Sequence, residues 1–264
     1  MNLELSGKVA LVTGGAKGIG AAIARSFAKE GAIASIVDRN PEQAATLIEE
    51  IKNSGGEAFC ISTELTDLDA CRNAIDQTIE IGGRLDVLVH NAGVNDGVGL
   101  DDSPEVFLES IKKNLLHVFA LTQHALKHLS DSKGTVVNMG SKVAETGQGG
   151  TSGYAASKGA MNALTREWAL DLADRGIRVN SVIPAEVMTP MYRRWLDTLD
   201  NPEATLSSIE ENIPFGNRMT TDEEIADAVV FLASARSSHT TGQIFHPDGG
   251  YLHFDRSYGK IKTD

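Results

Sequence analysis

Several residue types that define protein classes are scarce or absent here. The 264-residue chain has two cysteines, Cys60 and Cys71. They make neither a CxxC pair nor a zinc-ligand spacing, which excludes a disulfide framework and predicts reduced thiols in a cytoplasmic protein. No run of lysine and arginine occurs, and acidic residues outnumber basic ones 36 to 24, for a formal charge of −12. A nucleic-acid surface needs a basic stripe, so no nucleic-acid partner is expected. No apolar run approaches the ~20 residues of a membrane span, so no membrane partner is expected either. The first five residues carry neither the basic nor the apolar region of a signal peptide. Internal repeats and low-complexity linkers are missing.

What is present is an alternation of short β-branched runs with longer helical patterns. Strands are predicted at Val9–Thr13, Ile33–Asp38, Ala58–Ser62, Leu85–His90, Thr135–Met139, Arg178–Ile183 and Gln243–His246. Helices are predicted at Gly18–Glu30, Pro41–Asn53, Leu68–Gly82, Pro104–Leu129, Gly153–Asp174 and Asp222–Ala235. The strands are nearly continuous apolar runs, as expected of parallel strands covered by helices on both faces. The rhythm predicts an α/β fold: one Rossmann-type, doubly wound parallel sheet of about seven strands, in a single domain over residues 1–264. One segment, about 186–221, interrupts the rhythm with two short helical patterns and prolines at 190, 202 and 214. An excursion of this length after a strand end reads as a lid over a ligand site.

The first strand runs into Thr13-Gly14-Gly15-Ala16-Lys17-Gly18-Ile19-Gly20, which opens a helix. Glycines there permit a tight turn and let backbone N–H groups reach a pyrophosphate, and the helix dipole adds to the attraction. No Lys-Ser/Thr follows the last glycine, so this is not a P-loop. Asp38 ends the second strand, 18 residues beyond Gly20. A carboxylate at that point accepts hydrogen bonds from the ribose hydroxyls of NAD and repels a 2′-phosphate, which favours NAD as cofactor. Arg39 follows at once and weighs toward NADP.

Tyr154 and Lys158 stand four apart in a helical stretch, about one turn, on one helix face. A phenol has a reference pKa of about 10, and a nearby ammonium is expected to lower it. Such a pair exchanges a proton with an alcohol or a carbonyl.

With the loop and this pair placed, the chain resembles the short-chain dehydrogenase/reductase family over about residues 5–250. The matching pieces are the Thr13–Gly20 loop, Asn91-Ala92-Gly93, Asn114, Gly140-Ser141, Tyr154 with Lys158, Arg178-Val179-Asn180, and Pro184 through Thr189. The resemblance implies Tyr154 as the acid/base, with Lys158 lowering its pKa and binding the nicotinamide ribose. It implies Ser141 as a hydrogen-bond partner of the reacting oxygen, and Asn114 as the holder of a water linking Lys158 to solvent. Gly14, Lys17, Gly18, Ile19 and Gly20 would hold the cofactor with Asp38, Glu64, Asn91, Gly93, Val187 and Thr189. Three positions depart from the commonest pattern: His90 for asparagine, Ala185 for glycine and Glu64 for aspartate. The family's habit of pairing the two long helices across a dimer axis implies a homotetramer.

The segments after strands four, five and six are polar, with Asn95 and Asp96, then Lys142, Glu145 and Gln148, then Glu186. Amides and carboxylates suit a small polyhydroxylated substrate better than a steroid or acyl chain. Asn95, Gln148 and Glu186 are the candidate substrate contacts. Asn95-Asp96-Gly97, Thr146-Gly147-Gln148-Gly149 and Pro184 through Pro190 are similar to the bacterial L-fucose dehydrogenases of the family. That likeness implies oxidation of the anomeric carbon of a sugar such as L-fucose to its lactone. A 3-oxoacyl or other ketone reductase is the alternative. His124 and His128, one turn apart, lack the glutamate of a zincin, so no metal is expected, and His117 reads as a solvated or interface histidine.

Overall fold

The computed structural model describes residues 2–253. Seven parallel strands form one sheet in the order β3-β2-β1-β4-β5-β6-β7. They are β1 Val9–Thr13, β2 Ile33–Asp38, β3 Glu57–Ser62, β4 Val87–His90, β5 Thr135–Met139, β6 Arg178–Val182 and β7 Ile244–Phe245. Among the described residues nine α-helices accompany them: α1 Gly18–Lys29, α2 Pro41–Asn53, α3 Leu68–Gly82, α4 Pro104–Ile111, α5 His117–Ser132, α6 Ser152–Asp171, α7 Pro190–Leu196, α8 Pro202–Glu211 and α9 Asp222–Ala233. No helix among the described residues is long and apolar enough to cross a membrane.

Alternate side chains of each strand enter opposite cores, because strand residues point to the two faces in turn. Ala10, Val12, Val87 and Val89 pack with Ile23 and Phe27 of α1 and Ile225 and Val229 of α9. Leu11, Leu88 and Val136 pack on the other face with Ile75 of α3, Leu121 of α5 and Met161 of α6. The expected doubly wound architecture is what forms. The order in which successive strands are laid down reverses between the parallel neighbours β1 and β4, which opens a crevice at their carboxyl ends where open α/β sheets bind ligands.

Several element ends shift by one or two residues from the sequence reading, and three differences are larger. The predicted helix Pro104–Leu129 is two helices joined by a π-helical turn over Lys112–Leu116, and it runs on to Ser132. The side-chain amide of Asn114 in that turn is drawn sideways: its Oδ1 accepts from Val94 N at 2.7 Å and its Nδ2 donates to Ser110 O at 3.0 Å. Helix α6 stops at Asp171, where a short 3₁₀ turn carries the chain to Gly176 at φ +73°. The last strand shrinks to two residues.

The excursion after β6 has its two ends tied together. Val187 and Thr220 form an isolated parallel bridge, and Thr220 N donates to Glu186 O at 3.0 Å. Helices α7 and α8 therefore project from one pinned base. Leu196, Ile213 and Met219 are buried and anchor them to the body.

Candidate active site

The glycine loop leaves β1 and is shaped by close backbone contact. A Cβ on Gly20 would fall 2.2 Å from Gly14 O, so only glycine fits where the first turn of α1 crosses the loop. Gly14 and Gly18 have φ +61° and +53°, the left-handed region that glycine adopts without strain. Asn91 holds the loop from β4: its Nδ2 donates to Thr13 O at 2.9 Å and to Gly14 O at 3.0 Å. The Thr13 hydroxyl accepts from the backbone N–H groups of Asn91 and Ala92, both at 3.0 Å, and donates to Val89 O. Lys17 precedes α1 with an exposed side chain and makes no side-chain cap. Ile19 packs against the core below. An uncapped helix N-terminus behind a glycine turn attracts an anion.

Asp38 is buried at the end of β2 and reaches this loop. Its Oδ2 accepts from Ala16 N at 3.1 Å and its Oδ1 from Asn40 N at 3.0 Å. Two backbone donors fix the carboxylate and leave it further lone pairs. Arg39 instead points to Glu64 at 3.7 Å, with an exposed side chain. The Thr66 backbone N–H, followed by its hydroxyl and Arg39, holds Glu64 below the usual carboxylate range despite some burial. Thr189 closes the loop from the far side: its Cβ would stand 3.5 Å from a Cβ on Gly18. Its hydroxyl caps α7 by accepting from Tyr192 N at 3.1 Å. Val187 is buried beside it. Glycine turn, uncapped helix end and strand-terminal carboxylate fit a dinucleotide.

Ser141, Tyr154, Lys158, Asn114 and Gly93 come together at the ends of β4 and β5. Ser141 lies just beyond the end of β5 and hydrogen-bonds the half-buried Tyr154 hydroxyl. Lys158 is 2% exposed. Its Nζ donates to Met139 O at 2.6 Å and stands 5.5 Å from the centroid of the Tyr154 ring. A Cβ on Gly93 would lie 3.4 Å from Lys158 Nζ and 3.3 Å from Asn114 Oδ1, so the bare backbone of Gly93 separates the two.

The lowered phenol expected from the sequence is not what this geometry gives. Burial pushes the Tyr154 hydroxyl up to about 12, outweighing the Ser141 hydrogen bond that pulls it down. Burial also brings the Lys158 ammonium down to about 8. Desolvation dominates both groups.

The three substrate candidates have different surroundings. Gln148 is exposed in the Gly147–Gly150 stretch. Asn95 turns its Oδ1 to the Thr151 hydroxyl and to Gly97 N. Glu186 is buried and paired with Lys142. Tyr192 hydrogen-bonds Glu186 and is pushed well above its ordinary range, by burial first and then by that carboxylate. Tyr251, after β7, meets Lys142 from the other side. The sequence named Lys142 and Glu186 separately, but nothing in it joined residues 44 apart.

His117, read from the sequence as solvated or interfacial, is fully buried. Burial, then the nearby Lys158 cation, brings it down to about 4. Its flanking Leu115, Leu116 and Val118 were the available signal. His90 is also fully buried, with Nε2 2.8 Å from the Thr122 hydroxyl. That hydroxyl donates to Val118 O, so His90 Nε2 carries the proton. Among the described residues no three His, Cys, Asp or Glu side chains cluster as a metal site.

A family model described as enoyl-(acyl carrier protein) reductase matches residues 14–252. The 3-oxoacyl-[acyl-carrier-protein] reductase FabG of Thermotoga maritima is 36% identical, over 95% of this chain and 100% of that protein. The L-fucose dehydrogenase of Bos taurus is 34% identical, over 98% of this chain and 95% of that protein. The crystal structure of Cj0485 dehydrogenase superposes with a TM-score of 0.92 at 39% identity, covering 97% of this chain and 98% of that one. Sequence, fold and comparisons agree that the chain is an oxidoreductase of the short-chain dehydrogenase/reductase family, which acts on CH–OH groups with a nicotinamide cofactor.

Proposed function

We propose that this enzyme is an NAD-dependent dehydrogenase of a small polyhydroxylated substrate, oxidising the anomeric carbon of a sugar such as L-fucose to its lactone. The observation that carries this reading is the wall beside Ser141, built from Lys142, Glu186, Tyr192 and Tyr251. It is a hydrogen-bonding surface, where a steroid or long acyl chain needs an apolar slot.

In this reading Tyr154 takes the proton of the reacting hydroxyl, Ser141 holds that oxygen, and Lys158 supports Tyr154 and the nicotinamide ribose. NAD, when bound, supplies the hydride acceptor. Asn114 anchors the segment carrying Gly93 and Val94, and holds the water that connects Lys158 to solvent. The loop Gly14 to Gly20 receives the pyrophosphate. Asp38 receives the adenosine ribose, Glu64, Asn91 and Gly93 line the adenosine side, and Val187 and Thr189 hold the carboxamide and diphosphate. The pinned excursion 186–221 serves as the lid, with Asn95 and Gln148 at the mouth.

Asp38 supports NAD over NADP, and Arg39 is engaged with Glu64. A homotetramer is part of the proposal. Leu108 and Phe119, 57% and 50% exposed on α4 and α5, leave an apolar surface on the helices that pair in this family. Light scattering tests it, and a sharp monomer mass contradicts it.

A ketone reductase acting on a 3-oxoacyl thioester is favoured by the likeness to the Thermotoga reductase. It predicts NADPH preference and a basic mouth for a carrier, which Asp38 and the acidic balance oppose. The deciding experiment follows NADH absorbance with L-fucose, L-galactose, D-arabinose, D-glucose and a simple secondary alcohol. Strong NAD-linked signal with the first three sugars supports the proposal, and silence on every sugar removes it.

A further inference from the structure

The charged wall is made by segments distant in sequence. Lys142 follows Ser141 after β5, and Glu186 precedes Val187 after β6. Their side chains form an ion pair, 17% and 6% exposed. Tyr192 of α7 hydrogen-bonds the carboxylate. Lys142 Nζ stands 4.6 Å from the centroid of the Tyr251 ring and donates to its hydroxyl at 3.4 Å. The pair thus sits one residue from Ser141 on one side and one residue from Val187 on the other, with a lid helix over it.

A buried ion pair is a poor device for stability. Desolvation cancels most of the attraction, and apolar residues of similar volume do as well or better. Its distinctive property is what it demands of a neighbour. An apolar ligand laid on it strips the remaining water from both charges and returns no hydrogen bond. A hydroxyl does the opposite: its hydrogen is donated to the carboxylate while its oxygen accepts from the ammonium. Two adjacent hydroxyls match a carboxylate and an ammonium side by side.

We infer that the Lys142–Glu186 pair reads a vicinal diol adjoining the reacting carbon, and thereby sets the preference for polyhydroxylated substrates over deoxy ones. This rests on the sugar-oxidising reading above and names the groups that enforce it. A site built around such hydrogen bonds rejects the analogue lacking one hydroxyl strongly, because its own polar groups are left unpaired.

The test measures NAD-linked kcat/KM for L-fucose and its 2-deoxy analogue in the parent, in Glu186→Gln, and in the double variant Lys142→Met/Glu186→Leu. The double variant removes both charges, which avoids stranding one in the interior, and its melting curve reports folding. The parent is expected to prefer L-fucose by at least ~10²-fold. In both variants that ratio is expected to fall below ~10-fold, mainly through a raised KM for L-fucose. A variant that loses rate equally on both sugars and keeps the ratio makes the pair merely structural and overturns the inference. A parent that oxidises both sugars alike overturns it while leaving the sugar reading intact. A parent silent on all sugars removes that reading and this inference together.

Discussion

Lys158 donates to the carbonyl of Met139 at 2.6 Å, which ties the cation beside Tyr154 to the last residue of β5. The ammonium is thus positioned by the sheet and the phenol by the helix. Both groups are desolvated, with Tyr154 raised to about 12 and Lys158 lowered to about 8. Tyr154→Phe keeps the ring and deletes only the hydroxyl. It is expected to leave cofactor binding near normal and to lower kcat at least ~10²-fold, the scale of general acid–base catalysis. Steady-state rates with titrated cofactor affinity check it, and retained turnover refutes Tyr154 as the base.

The same pair predicts a direction with pH. Alcohol oxidation needs a group able to accept a proton, and both Tyr154 and Lys158 are protonated below about 8. The kcat/KM for oxidation is therefore expected to rise as pH climbs from 6 to 9. A pH–rate profile measures this, and a flat or falling limb contradicts it.

Gly20→Ala tests the loop. The added methyl would stand 2.2 Å from Gly14 O and 2.6 Å from Asn91 Nδ2, a backbone atom and the amide that holds the loop. The loop must shift, with a stability loss of about 1–3 kcal/mol, as for overpacking elsewhere. Cofactor affinity is expected to fall more than tenfold by fluorescence titration. Unchanged affinity would mean that the pyrophosphate does not use this turn.

Asp38→Ala removes the carboxylate that Ala16 N and Asn40 N hold in place. NAD affinity is expected to drop about tenfold or more, with discrimination against NADP relaxed. Parallel titrations with the two dinucleotides give the answer. A parent enzyme that already prefers NADP would show that Arg39, not Asp38, decides.

His117 carries a stability prediction. Its pKa is brought from 6.5 in the unfolded chain to about 4 in the folded protein, chiefly by burial. Between those values the unfolded chain binds the extra proton, so stability is present above about 6.5 and is lost as pH falls toward 4. The loss amounts to roughly 3 kcal/mol at the acid end. His90, lowered in the same direction, adds to it. Melting temperatures from pH 7 to pH 4.5 are expected to fall in the parent and to fall less in His117→Leu. Equal slopes contradict the assignment.

How far these features could be read in the sequence depended on the distance between the residues involved. Val9–Thr13 with Gly14 to Gly20, and Tyr154 with Lys158, are local patterns whose geometry follows from strand and helix periods. The π-helical turn at Lys112–Leu116 has no such signature. The helical pattern continues through it, and Asn114 is engaged by Val94 N and Ser110 O only in the folded chain. The burial that raises Tyr154 is likewise tertiary, and a local argument from its lysine neighbour does not contain it. Lys142 and Glu186 were recognised as polar but not as partners, since two separate loops had to meet first.

The most direct measurement sets the two chemistries against each other in one preparation: kcat/KM for L-fucose with NAD, and for a 3-oxoacyl thioester with NADPH. The account predicts that the sugar reaction exceeds the thioester reaction by at least ~10²-fold, the scale on which a hydrogen-bonding site rejects a ligand that leaves it unpaired. A reversed preference would contradict it, leaving the family and the Ser141–Tyr154–Lys158 arrangement but assigning the charged wall to another role.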